Sequence, residues 1–126
     1  MKKLSILLCL LLTAIIASEA WAKRAAPAPV TPVVHKGVKY VAPNANGLEG
    51  KIEARNEETG KILWDVVIYT IKIDPSLEQD VQWVFITGLA VQDNTLLVTN
   101  EKNEQYILDL MTRKVEKVKK DQKEKP

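Results

Sequence analysis

Ala54-Arg55-Asn56-Glu57-Glu58-Thr59-Gly60-Lys61-Ile62-Leu63-Trp64 carries the plainest structural signal in the chain. It reads as the end of one strand, a tight turn and the start of the next. Glu57, Glu58, Thr59 and Gly60 supply the turn, and Gly60 is the residue that takes positive φ without a Cβ clash. Upstream, Ile52 and Ala54 share one face while Lys51, Glu53 and Arg55 share the other, the alternation of a half-buried strand. Downstream, residues 62–74 are rich in β-branched and aromatic side chains, which suits a strand. Apolar side chains fall on both faces there, from Leu63 to Ile71. Either a central strand buried on both sides or a bulge that switches faces accounts for this.

Working outward, the pattern predicts a first strand at residues 38–41 and a turn at 43–47, built from Pro, Asn and Gly. Further strands are expected at 81–89, 95–99, 105–110 and 115–118, separated by short polar loops. In the expected strand at 81–89, Val81, Trp83 and Phe85 share one face and Val84 and Ile86 the other. Residues 74–80 interrupt the series, because Pro75 cannot donate to a ladder. One short helical turn capped by Asp74 fits that segment. It also holds three carboxylates, Asp74, Glu78 and Asp80. A catalytic pair or cation site needs such groups at fixed separation in a cleft; an exposed acidic loop is the commoner meaning and the one expected here.

The opening motif recurs. Ala54-x-Asn56-x-x-Thr59-Gly60-Lys61-Ile62 is matched, 53 residues on, by Ile107-x-Asp109-x-x-Thr112-Arg113-Lys114-Val115. The Asn or Asp side chain can bond turn amides, and the Thr hydroxyl can do likewise. The first copy resembles the repeat of quinoprotein-type β-propellers, Ala-x-Asp-x-x-Thr-Gly-x-x-x-Trp. Ala54, Thr59, Gly60 and Trp64 match, and Asn56 replaces Asp. The resemblance spans roughly residues 48–118 and implies blade-like hairpins, with Trp64 docking between neighbouring sheets. The second copy departs from it, with Arg113 where Gly is expected and Lys117 where Trp is expected. Propellers take about 4 to 8 blades. Some eighty ordered residues make fewer than two blades of about 40 to 45 residues. The adjacent cysteines of the quinone enzymes have no counterpart here, so no cofactor is expected.

The amino terminus reads as a cleavable signal peptide. Lys2 and Lys3 precede an apolar run at residues 4–17, and Ala20-Trp21-Ala22 offers small residues at the two cleavage-site positions. The run is shorter than the ~20 residues a bilayer span needs. Residues 1–22 are therefore assigned to the signal peptide, and no stable membrane anchor is expected after cleavage. The lone cysteine, Cys9, lies inside it, so the mature chain is expected to have no disulfide or thiolate metal site. Losing Lys2, Lys3 and Glu19 takes the formal charge from +2 to +1, which offers no global field for nucleic acid. Residues 23–33 hold Pro27, Pro29 and Pro32 and read as an extended tether. A β domain is assigned to 34–118, and a charged, frayed tail to 119–126.

The only histidine, His35, falls at the Pro-rich approach to the domain, and no P-loop or dinucleotide fingerprint is present. No catalytic, cofactor-binding or metal residues are assigned. Tyr69, Trp83 and Tyr106 are the candidate ligand surface if aromatics prove exposed; Ala54, Asn56, Thr59, Gly60, Trp64, Asp109 and Thr112 are the structural motif. The expectation is a small all-β antiparallel domain of about six or seven strands, as blade-like hairpins, a sandwich or a partial barrel. The expected role is non-enzymatic: a periplasmic or secreted module that binds another envelope protein, or itself, through an open sheet edge. The rival is a small-molecule or glycan binder that uses the aromatics.

Overall fold

The computed structural model describes residues 27–119. Residues 1–26, which include the expected signal peptide and Cys9, and residues 120–126 of the expected tail lie outside the described residues. Among the described residues, eight strands form two four-stranded antiparallel meanders. The first comprises β1 (Val33–His35), β2 (Val38–Val41), β3 (Glu49–Asn56) and β4 (Ile62–Thr70). The second comprises β5 (Ile86–Gln92), β6 (Thr95–Asn100), β7 (Gln105–Asp109) and β8 (Val115–Lys117). A 3₁₀ turn at Asp80–Gln82 lies between them. The all-β expectation holds. The additional strand is β1, which begins at Val33, inside the stretch read as tether. Val30 and Val33 both pack against the core, so the end of the stretch read as tether belongs to the domain.

One apolar core lies between the sheets. Tyr40, Ile52, Ala54, Ile68 and Tyr69 enter it from the first sheet, and Ile86, Leu96, Val98, Tyr106 and Leu108 from the second. Alternation puts these on one face of each strand, as the two-residue period requires. The long apolar run resolves as an edge strand with two bulges, not as a central strand. Register shifts on β3–β4 leave Leu63 and Ile68 as extra residues of β4. The second bulge turns both Ile68 and Tyr69 inward, which explains the loss of alternation there. Tyr69 needs Gly50 beneath it, because any Cβ at position 50 would strike its ring.

The two motif turns are built by the same bonds. Asn56 Oδ1 accepts the amides of Glu58 and Thr59 at 2.9 and 3.0 Å; Asp109 Oδ1 accepts those of Met111 and Thr112 at 2.8 and 3.0 Å. The Thr59 and Thr112 hydroxyls each accept an amide two residues on at 3.3 Å. Gly60 closes the first turn at φ 74°, and Arg113 the second at φ 65°. Both turns join the third and fourth strands of their sheets, so the sheets are structural counterparts.

The counterparts pack through opposite faces. In the first sheet Val33, Tyr40, Ala54 and Trp64 form one row across the four strands, and all four contribute to the core. Counting from the turns, Ala54 corresponds to Ile107. Its row, Ala90, Leu97, Ile107 and Glu116, faces away, and Ile107 is 38% exposed. Conversely, Leu108 is fully buried, whereas its counterpart Arg55 lies on the outer face of the first sheet, bound to Glu53 and to the Gly60 carbonyl. The sheets therefore stack head to tail. Because Leu63 is a bulge residue, the place opposite Ile107 that corresponds to Trp64 is taken by Glu116, not by Lys117 as sequence spacing suggests.

Candidate functional site

The meander sorts the connections into two sets. Tight turns at Lys36-Gly37, 57–61, Asp93-Asn94 and 110–114 gather at one end, and the longer loops 42–48, 71–85 and 101–104 at the other. Loops held by a rigid scaffold are the usual place for binding residues. The long-loop end opens onto a groove of about 430 Å³, lined by Ile71, Lys72, Val81, Gln82, Trp83, Val84, Glu101 and Lys102. That volume falls in the range of ligand sites.

The groove rests on a segment with a complete hydrogen-bond account. Residues 84–86 are buried, and buried backbone groups need partners. The Val84 amide donates to the Gly47 carbonyl at 3.0 Å, and its carbonyl accepts the Tyr69 hydroxyl at 2.8 Å. The Phe85 amide donates to Glu101 Oε1 at 2.9 Å, and its carbonyl accepts the Glu101 amide at 3.0 Å. Ile86 exchanges two bonds, of 3.0 and 2.9 Å, with the side-chain amide of Asn44. Asn44 thus stands in for a neighbouring strand and ties the first sheet to the second. This corrects the expected strand at 81–89: pairing begins only at Ile86, and Val81 lies in the 3₁₀ turn.

Trp83 is half-buried and fixed. Its Cβ lies so close to Gly47 that a methyl group there would clash, and its ring meets Phe85 edge to face with centroids 6.3 Å apart. Gln82 draws the neighbouring loop shut. It accepts the Asp74 amide at 2.7 Å and donates to the Asp74 and Glu78 carbonyls at 3.0 Å.

The other two aromatics of the candidate surface are core residues. Tyr69 and Tyr106 are 8% and 9% exposed and stack on each other with centroids 5.3 Å apart. Their burial is the physical reason they present no ligand face. Burial, reinforced by nearby Tyr106, Glu101 and Glu104, pushes the Tyr69 phenol up. Trp64 sits between the sheets. Tyr40 lies 6.0 Å away on one side, and the Arg113 guanidinium stands over the indole at 4.6 Å. The residue in the glycine position of the second turn therefore covers the tryptophan of the first repeat.

In the acidic loop, Asp74 is held by its own turn. Asp74 accepts both the amide and the hydroxyl of Ser76, at 2.9 and 2.6 Å, and these bonds hold its carboxyl below the usual range. It is a turn-forming carboxylate. Among the described residues, no group of three His, Cys, Asp or Glu side chains is placed to hold a metal ion. His35 belongs to β1 and is half-buried, with Nε2 enclosed and lacking a hydrogen-bond partner.

A second open feature adjoins the groove. Among the described residues, no strand pairs with the outer edge of β4. Ile62, Leu63 and Val67 on β4 are 42%, 51% and 42% exposed. β4 ends at Thr70, and the next two residues, Ile71 and Lys72, line the groove. No protein-family model matches the chain, and no curated protein matches it in sequence.

Proposed function

We propose that the mature chain is an exported, non-catalytic binding module that takes an extended segment of another envelope protein along β4. The observation that carries this reading is the nine-residue outer edge of β4, with Ile62, Leu63 and Val67 exposed on it. An unpaired strand presents free backbone donors and acceptors, and an added strand satisfies them. The bulges at Leu63 and Ile68 confine regular pairing to the stretch between them. They blunt the edge against indiscriminate pairing while leaving a short template. The resemblance of residues 54–64 to a propeller repeat supports a scaffold role, since two sheets make no closed ring and leave edges open.

The test is amide hydrogen exchange over residues 62–70, with and without peptides selected on the mature chain from a display library. The expected result is slower exchange across 64–67 on binding, lost in Leu63→Lys/Val67→Lys. Tight binding that leaves β4 exchange unchanged would reject the edge reading. A second reading, a small-molecule or glycan site, is favoured by one observation, the fixed, half-exposed Trp83 in the groove wall.

A further inference from the structure

Resting on the β4 reading, we infer that the groove at the end of β4 receives a carboxylate-bearing side chain, flanked by an apolar one, from the same partner peptide. A strand paired with β4 and continued past Thr70 reaches the groove directly, since Ile71 and Lys72 are its first wall. The remaining lining divides cleanly. Val81, Trp83 and Val84 supply apolar surface, and Lys72 and Lys102 supply two ammonium groups. Leu77 and Val81, 58% and 64% exposed on the adjoining loop, extend the apolar surface outward.

Charge selects the occupant. Among the described residues, neither Lys72 nor Lys102 takes part in a salt bridge. The one carboxylate in the lining, Glu101, accepts the Phe85 amide through Oε1 and keeps its charge, so the lining carries one net positive charge. The acidic residues of the neighbouring loop, Asp74, Glu78 and Asp80, do not line the groove. Two lysines against one carboxylate leave the apolar floor with a net positive rim, which matches an anion carried next to an aliphatic or aromatic side chain. Both walls are fixed before binding, one by Gln82 and the other by Gly47 beneath Trp83. Little ordering therefore remains to be done when a peptide arrives.

The probe is a display library of random twelve-residue peptides selected on the mature chain. The expected outcome is enrichment of Asp or Glu beside Leu, Ile, Val or Phe. A synthetic peptide from that set is then titrated by tryptophan fluorescence, with Trp83→Phe identifying the signal from the groove. Lys72→Glu/Lys102→Glu, both on exposed side chains, should weaken it at least about fivefold. The same variant should bind a Lys-substituted peptide better than the parent chain does. Peptides that protect β4 amides without any carboxylate preference overturn the groove assignment and leave the edge standing. Failure of any peptide to protect β4 overturns both. Quenching of Trp83 by oligogalacturonate at lower concentration than by the selected peptide assigns the groove to a glycan and overturns the inference.

Discussion

The two sheets share a connection scheme and a turn, yet their corresponding positions carry opposite chemistry. Ala54 is buried and Ile107, its counterpart, is partly exposed; Leu108 is buried and Arg55, its counterpart, sits on the surface. A hydrophobicity profile alone would call the second sheet the inverse of the first. The turns show that they are the same unit, with opposite faces turned to the core. The lesson is that an internal repeat is defined by its turn geometry, while burial follows from where each copy stands in the stack.

Exchanging residues between counterparts breaks this comparison most severely. Leu108→Arg gives the second sheet the residue of the first and buries an unpaired charge between the sheets. A loss of at least about 4 kcal/mol is expected in urea unfolding. The reciprocal Arg55→Leu should cost less, about 1–2 kcal/mol, because it breaks a part-buried pair in which the Glu53 side chain is 12% exposed but remains at the edge of solvent. Equal effects would refute head-to-tail stacking.

Trp64→Ala comes next. The indole fills the space between Tyr40 and Arg113, and its loss should cost about 3 kcal/mol, the low end for a tryptophan because the residue is half-buried. A change under about 1 kcal/mol would show that the sheets do not depend on this wedge.

Arg113→Gly has a smaller effect with an informative sign. A non-glycine residue at φ 65° is strained by roughly 1 kcal/mol. The cation–π contact with Trp64 returns about 0.5–1 kcal/mol. The net change should stay within about 1 kcal/mol. In a Trp64→Leu background only the strain relief remains, so the same substitution should stabilise by about 1 kcal/mol. Identical values in both backgrounds would mean that Arg113 and Trp64 are uncoupled.

The smallest effect concerns pH. The Asp109 carboxyl is held below its usual range by the amides of Thr112 and Met111. Its contribution is complete above the ordinary aspartate range and is lost as the pH falls through the lowered value. Asn56 fills the same place in the first turn and does not titrate. Asp109→Asn should therefore flatten part of the acid limb of stability, measured by thermal melts from pH 6 to pH 2. An unchanged limb would remove Asp109 from the account.

Much of the fold was readable from local chemistry. The turn at 56–60, its echo at 109–113 and the alternation of Lys51 to Arg55 needed no tertiary information, because Asx bonding and two-residue periodicity are local. Other features depended on distant partners. Val81 to Ile86 alternate like a strand, but the backbone of Val84 to Ile86 is satisfied by Asn44, Gly47, Tyr69 and Glu101, none adjacent in sequence. β1 was hidden by Pro32, since a proline just before a strand looks like the end of a tether. Of the candidate site, the sequence offered Trp83 only as one of three candidate aromatics. Tyr69 and Tyr106 were not separable from it, because the stacking that buries them joins residues 37 positions apart. The lysines of the groove carried no pattern at all; only the chain's path past β4 brings Lys72 near Lys102.

Head-to-tail stacking also gives the molecule a direction, and its two ends are unlike. The outer face of the first sheet carries Lys51, Glu53, Arg55 and Asp65, locked in ion pairs of 3.4 and 2.7 Å. Another sheet settling there would have to strip water from all four, as a terminal repeat in a solenoid resists further growth. The opposite end shows Ala90, Leu97 and Ile107 but has Glu116 where the wedge tryptophan stands in the first sheet. One end is thus a charged stop and the other an unfinished joint.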